Sequence, residues 1–196
     1  MTSKAKRSGG GRMVVISGPS GSGKTTICRA LAEDPRVRFS VSATTRPKRS
    51  NEVDGRDYFF LSEDEFERRV QRGEFLEQAH YNGHRYGTLR SAVDGEIAKG
   101  FVVILEIEVQ GTRLLREQNV EATYVLIMPP SLEELERRLT ARSTEDAETI
   151  RQRLVIARGE MDMAHLYDHV VINADLQTAI QEVRGVLGLL DDGAKG

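Results

Sequence analysis

The sequence predicts an α/β protein built on a central parallel sheet, and three observations carry that expectation. Four short apolar runs, Met13 to Ser17, Phe101 to Ile107, Thr123 to Met128 and His169 to Ile172, are rich in β-branched residues, as strands buried on both faces require. Helical patterns separate most of them. The segment Gly18-Pro19-Ser20-Gly21-Ser22-Gly23-Lys24-Thr25 follows the first run and opens directly onto the helical stretch Thr26 to Ala32.

The remaining elements follow from caps and turns. Ser62 and Glu65 make a Ser-x-x-Glu box before Phe66, predicting a helix near residues 63 to 72, and Ser131 with Glu134 repeats the device before Leu135. Further helices are expected from about Asp146 to His165 and from Asp175 to Leu190. From Phe39 to about Arg90 the alternation breaks into short strand-like pieces with Asp54-Gly55 and Asn82-Gly83 turns. This reads as an insert between the first helix and the Phe101 strand. Residues 131–160 are nearly all helix and arginine-rich, as a mobile arm would be.

A length of 196 residues suits one domain with small inserts. With 39% hydrophobic and 30% charged residues, the chain is neither apolar-poor enough for disorder nor equipped with a membrane-spanning run. The net charge of −2 gives no reason to expect sequence-independent binding to nucleic acid or to a membrane surface. The charge is uneven, however: residues 1–60 hold 12 basic and 5 acidic side chains, against 16 and 25 beyond. A small anionic ligand in the first third accounts for that surplus. The single cysteine, Cys28, forms no internal disulfide and reads as a small packing residue of the first helix. The opening MTSKAKRSGGGR lacks the apolar stretch a secretion signal needs, so a cytoplasmic protein is expected. Residues 1–11 read as a flexible basic tail and 191–196 as a frayed end, leaving 12–190 as the domain. His165 and His169, four apart, lack the glutamate and third ligand of a zinc helix and carry no metal expectation.

The glycine-rich segment satisfies GxxxxGK[ST] at every position, after a strand and before a helix, which identifies a P-loop. Its glycines let backbone N–H groups turn inward onto phosphate oxygens, and the helix N-terminus adds positive potential. Lys24 bridges the terminal phosphates of a nucleoside triphosphate, and the Thr25 hydroxyl is the candidate Mg²⁺ ligand. A dinucleotide fingerprint is excluded because Thr26 stands where its third glycine belongs.

Beyond the P-loop, several segments carry a resemblance. They are Ser42-Ala-Thr-Thr-Arg46-Pro-Lys-Arg49, Glu52-Val-Asp-Gly55-Arg-Asp-Tyr58, Glu74-Phe-Leu-Glu77, Tyr86-Gly-Thr88, Leu105-Glu106-Ile-Glu108-Val-Gln-Gly111, Pro129-Pro-Ser131, Arg142, Arg153 and Val171-Ile-Asn173. Together they resemble guanylate kinases over about residues 12–190. The resemblance implies a P-loop nucleotide kinase with a GMP-binding insert (about 39–90) and a helical lid (about 131–160), transferring the γ-phosphoryl group of ATP to GMP with Mg²⁺. It implies ATP contacts from Gly18 through Thr26 and GMP contacts from Ser42, Arg46, Arg49, Tyr58, Glu77, Tyr86, Thr88, Glu106 and Glu108. Lys24, Arg142 and Arg153 would stabilise the transferred group, with Arg138 assisting.

The residue chemistry is consistent with those roles. Arg46 and Arg49 are two cationic forks three residues apart, suited to a monophosphate. One carboxylate, Glu77, accepts both the N1–H and N2–H of guanine, whereas adenine presents a lone pair there. Ser42 and Thr88 supply hydroxyl donors for O6 or N7. The chain departs from the family in three places: Thr88 where serine is common, Ser143 where glycine follows the lid arginine, and Glu106 and Glu108 where aspartates are expected. Those two glutamates are expected on one face at the end of their strand, Glu108 toward the acceptor and Glu106 acting through water or Mg²⁺. Two rivals stand beside this reading: a kinase for another nucleoside monophosphate, and a non-catalytic module that binds protein ligands in the same cleft. The first is opposed by Glu77 with Ser42, the second by the intact P-loop.

Overall fold

A computed structural model describes residues 10–81, 83–141 and 147–190. The elements run β1 (Arg12–Ser17), α1 (Lys24–Leu31), β2 (Val37–Phe39), β3 (Ser42–Thr44), β4 (Phe59–Phe60), α2 (Glu63–Gln71), β5 (Phe75–Tyr81), β6 (His84–Leu89) and α3 (Arg90–Ala98). They continue with β7 (Val102–Glu106), α4 (Val109–Glu117), β8 (Thr123–Met128), α5 (Leu132–Ala141), α6 (Ala147–Met161), a 3₁₀ turn (Asp162–Leu166), β9 (His169–Ile172) and α7 (Leu176–Val186). The expected tails fall largely on residues outside those described.

The chain divides into two compact units, one formed by residues up to Met13 with Arg36–Ile104, the other by Val14–Pro35 with Leu105 onward. The five-stranded sheet, ordered β2-β7-β1-β8-β9, is the expected parallel sheet. In the second unit, Val14 to Ile16 and Tyr124 to Ile127 are completely buried, which is why those strands read as unbroken apolar runs. The first unit carries a separate four-stranded sheet, β4-β3-β6-β5, in which β3 and β5 both run antiparallel to β6. One face of that sheet packs Ala43, Phe75 and Leu89 against Phe66 of α2, with the Phe66 and Phe75 rings stacked 4.4 Å apart.

Capping decides where the helices begin. Ser62 Oγ accepts from the Glu65 amide and Ser131 Oγ from the Glu134 amide, both at 3.2 Å. Only that half of each box forms: the Glu65 and Glu134 carboxylates go instead to arginines one turn along. Asp175 caps α7 as expected. That helix stops at Val186, short of the expected Leu190, because Gly188 turns left-handed (φ 59°). The Gly188 and Leu189 amides then close onto the Gly185 and Arg184 carbonyls, a Schellman ending. Phe39, expected to open the insert, closes β2 and pairs with Ile104 in the parallel sheet. Helices α3 and α4 have no expected counterpart, since neither begins with a Ser, Thr or Asp cap.

In the second unit, α5 and α6 pack through Leu135, Leu139 and Ala157 with Leu132, Ile150 and Leu154 around them. The start of the expected helix at Asp146 lies outside the described residues, as do Arg142 and Ser143.

Candidate functional site

The second unit builds the phosphate loop. Between β1 and α1 the backbone folds tightly, with the Ser22 amide donating to the Pro19 carbonyl at 3.0 Å and the Ile27 amide to Gly23 at 3.1 Å. Glycine is required where neighbours close in. A Cβ on Gly18 (φ 147°) would lie 2.1 Å from the Ile127 carbonyl oxygen, and one on Gly23 (φ 97°) 2.2 Å from Asn173 Nδ2. Asn173, which follows β9, donates from that same nitrogen to the Ser22 carbonyl at 2.8 Å. Arg138 donates to the Asn173 carbonyl at 2.8 Å and to Glu134, so its guanidinium braces α5 to the residue that props the loop.

Lys24 is buried to 8% exposure and must therefore find partners. Its ammonium donates to the Gly18 carbonyl and stands 3.7 Å from Glu108 Oε2. Thr25 Oγ1 donates to Glu106 Oε1 at 2.6 Å, which joins the end of β7 to the first turn of α1. The expected pairing of Glu106 and Glu108 on one strand face is corrected. β7 ends at Glu106, and Glu108 occupies the N-cap position of α4, where the backbone has left the ladder. Glu108 is exposed and still faces Lys24.

One contributor carried no sequence motif. Glu160 on α6 is pushed up to about 7, first by burial and then by Glu108, with Lys24 pulling the other way. An arginine-rich helix drew attention to its cations, not to this acid. Cys28 is fully buried, and burial first, then Glu106, raises its thiol well above the ordinary range, so it is an inert packing group in this fold. Arg153 lies on α6. His165 sits in the 3₁₀ turn and His169 opens β9.

The first unit gathers the other candidates by strand register. Ser42 on β3 opposes Thr88 on β6, and Thr88 opposes Glu77 on β5, so the three form a row across three strands. That row depends on a bulge. Phe75 opposes Leu89, yet Glu77 opposes Thr88, so three residues of β5 span two of β6. In a regular ladder Glu77 would oppose Gly87 and share the core face of Phe75; the extra residue turns it onto the face of Thr88. Thr88 Oγ1 accordingly donates to Glu77 Oε1 at 2.7 Å, so this hydroxyl proton is committed to Glu77 and not turned outward. Glu77 is only 8% exposed; burial raises its carboxyl above the usual range while Thr88 draws it back.

Tyr86 lies two residues before Thr88, on the same face and about 7 Å along the strand. Tyr58 meets it edge-on, ring centroids 6.0 Å apart, and the Arg46 guanidinium stands 5.4 Å from the Tyr58 ring. Arg46 is held above its ordinary range chiefly by Glu52, with Tyr86 contributing. Arg49, in the same loop, is exposed. A carboxylate and two hydroxyls thus occupy one end of this face, and two tyrosines and a guanidinium the other.

Among the described residues no helix is long and apolar enough to cross a membrane. The family model described as guanylate kinase matches residues 10–188. A guanylate kinase of Symbiobacterium thermophilum is 49% identical over 178 residues, covering 90% of this chain and 84% of that one. A guanylate kinase of Synechococcus elongatus is 46% identical, covering 90% and 97%. Among solved structures, a guanylate kinase from Anaplasma phagocytophilum superposes with a TM-score of 0.71 at 31% identity, over 92% of this chain and 86% of that one.

Proposed function

The chain belongs to the guanylate kinase family, and from that premise we infer that it transfers the γ-phosphoryl group of ATP to GMP, giving ADP and GDP. The observation that carries the acceptor assignment is the sheet face of the first unit. Glu77, with Ser42 and Thr88 in its row, meets a purine edge that offers two adjacent donors, and Arg46, Tyr58 and Tyr86 meet a phosphate at the other end. Adenine would place a lone pair against the Glu77 carboxylate, a polar mismatch that discriminates by about 10⁴ to 10⁵ in a site built for the other base.

The donor is held by Gly18 through Thr26. Backbone amides and the α1 N-terminus take the phosphates, and Lys24, already desolvated, neutralises charge on the transferring group. The GMP phosphate oxygen is ionised at neutral pH, so the reaction needs positioning and charge stabilisation and no dedicated general base. Arg153, and Arg142 where the resemblance places it, would add positive charge to the equatorial oxygens. Thr25 Oγ1 and Glu106 Oε1, 2.6 Å apart beside Lys24, are hard oxygen donors of the kind Mg²⁺ prefers. When bound with ATP, Mg²⁺ supplies charge neutralisation along the phosphates. Glu108, facing Lys24, is assigned to the acceptor side and sets the orientation of the ammonium. The setting is taken as cytoplasmic, where a free buried thiol such as Cys28 persists.

The test is ADP release with GMP, dGMP, AMP, UMP or TMP as acceptor. The reading requires guanine nucleotides to be used at least a hundredfold better than AMP or the pyrimidines. Equal use of AMP, or ATP binding without transfer to any acceptor, would overturn it.

A further inference from the structure

We propose that Glu52 is a positioning residue for the acceptor phosphate: its carboxylate locks the Arg46 guanidinium and the Arg49 amide into the arrangement that receives a phosphate. The proposal rests on the reading of Arg46 as a phosphate ligand.

Glu52 is fully engaged. Its Oε1 accepts from Arg46 Nη2 at 2.7 Å, while Oε2 accepts from Arg46 Nη1 at 3.0 Å and from the Arg49 backbone amide at 2.8 Å. The Glu52 amide returns a bond to the Arg49 carbonyl at 3.2 Å, and the Lys48 ammonium donates to the Glu52 carbonyl at 2.9 Å. Residues 46–52 are therefore closed on themselves around one carboxylate. Within four residues this loop carries Arg46, Lys48 and Arg49, three like charges that would otherwise drive one another apart.

The geometry favours positioning over competition with the ligand. A guanidinium has five N–H groups in a fixed fork. Glu52 takes two from its end, and the Pro47 carbonyl accepts from Nη1 at 2.8 Å. Of the two N–H groups left, one is engaged by the Tyr86 hydroxyl, itself a proposed phosphate contact, and one remains for a ligand. Both partners are shielded, at 13% and 12% side-chain exposure, so the pair holds its geometry better than an open surface pair. The Arg46 and Arg49 contacts hold the Glu52 carboxylate down to about 2, so it stays ionised throughout the working pH range.

The experiment compares binding of GMP and of guanosine, which lacks the phosphate, by calorimetry on the intact protein and on Glu52→Gln, with steady-state kinetics alongside. The glutamine presents an NH₂ toward donors and cannot accept three bonds. Expected is a loss of about tenfold in GMP affinity and a matching rise in KM for GMP, with guanosine affinity, kcat and KM for ATP unchanged within about twofold. Glu52→Asp, one methylene short of spanning both partners, should fall between. Adding Glu52→Gln to Arg46→Ala should cost little more than Arg46→Ala alone, because Glu52 acts through that guanidinium. Tighter GMP binding by Glu52→Gln would overturn the proposal in favour of a carboxylate that competes with phosphate. Equal weakening of GMP and guanosine would reduce Glu52 to a general structural role. If the intact protein binds guanosine as well as GMP, the phosphate-site reading itself fails and this inference with it.

Discussion

The phosphate loop and the acceptor face teach different lessons about where a site is written. The proposed loop is nine consecutive residues, Gly18 through Thr26, that would work mainly through backbone amides; a local motif suffices because neighbouring residues on the chain would be neighbours at the ligand. The proposed acceptor face joins Ser42, Tyr58, Glu77, Tyr86 and Thr88, spread over 47 residues, and would work through side chains whose direction depends on strand register and on one bulge. Contiguity makes the first robust to small shifts. The second is exposed to any change that slips a strand by one residue.

The strongest way to break the comparison is at Lys24. Lys24→Ala should lower kcat by about 10³ or more with the fold intact, measured as ADP release at saturating GMP. Near-normal turnover would remove the loop from the chemistry. Next is Glu77→Gln, expected to reduce kcat/KM for GMP by about 2 to 4 kcal/mol while KM for ATP holds, since an amide accepts from only one of guanine's two donors. Because burial raises the Glu77 carboxyl, KM for GMP in the unaltered protein should climb as pH falls into the range where that group protonates, and the glutamine variant should lose this climb.

Glu106→Ala should reduce kcat and shift the Mg²⁺ dependence, and Glu106→Asp should cost about tenfold or less if water closes the gap to Thr25. A titration of rate against Mg²⁺ separates this from simple instability. Smaller still is Gly87→Ala. Its Cβ would fall 2.7 Å from Phe75 Cδ1 and 2.9 Å from the Glu77 carbonyl oxygen, beside the bulge. A loss of about 1 to 3 kcal/mol in denaturant unfolding is expected, with KM for GMP raised and KM for ATP unaffected. Unchanged GMP kinetics would show that the bulge tolerates displacement.

The smallest effect concerns Glu160, raised from 4.5 to about 7 by burial and Glu108, against the pull of Lys24. Between those values the folded protein keeps a proton that the unfolded chain has released, so this group makes stability fall as pH rises from about 4.5 to about 7. Glu160→Gln should flatten that part of the stability profile. An unchanged slope would assign it to other groups.

Several parts of the fold were legible because their causes are local. Thr123 to Met128 and His169 to Ile172 match β8 and β9 residue for residue. β8 is apolar because it is buried on both faces, whereas β9, at the sheet edge, buries only Val171 and leaves His169, Val170 and Ile172 exposed, against the expectation of a doubly buried strand. Ser62, Ser131 and Asp175 marked helix starts because a side-chain oxygen captures an amide three residues on. Helices α3 and α4 escaped notice because Leu89 and Glu108 begin them without any such bond.

The sequence by itself determined the glycine-rich loop proposed for the triphosphate and the residue types proposed for the acceptor, because backbone amides, a lysine at fixed spacing and a paired-arginine loop carry their chemistry wherever the chain is placed. Tertiary structure decided which of those residues meet. The bulge after Phe75 turned Glu77 from the core to Thr88, the end of β7 parted Glu106 from Glu108, and α6 set Glu160 toward Glu108 and Lys24. Each of those outcomes depends on where a ladder ends, slips or packs against a distant segment. That is a balance of non-local hydrogen bonds and burial which no window of neighbouring residues contains.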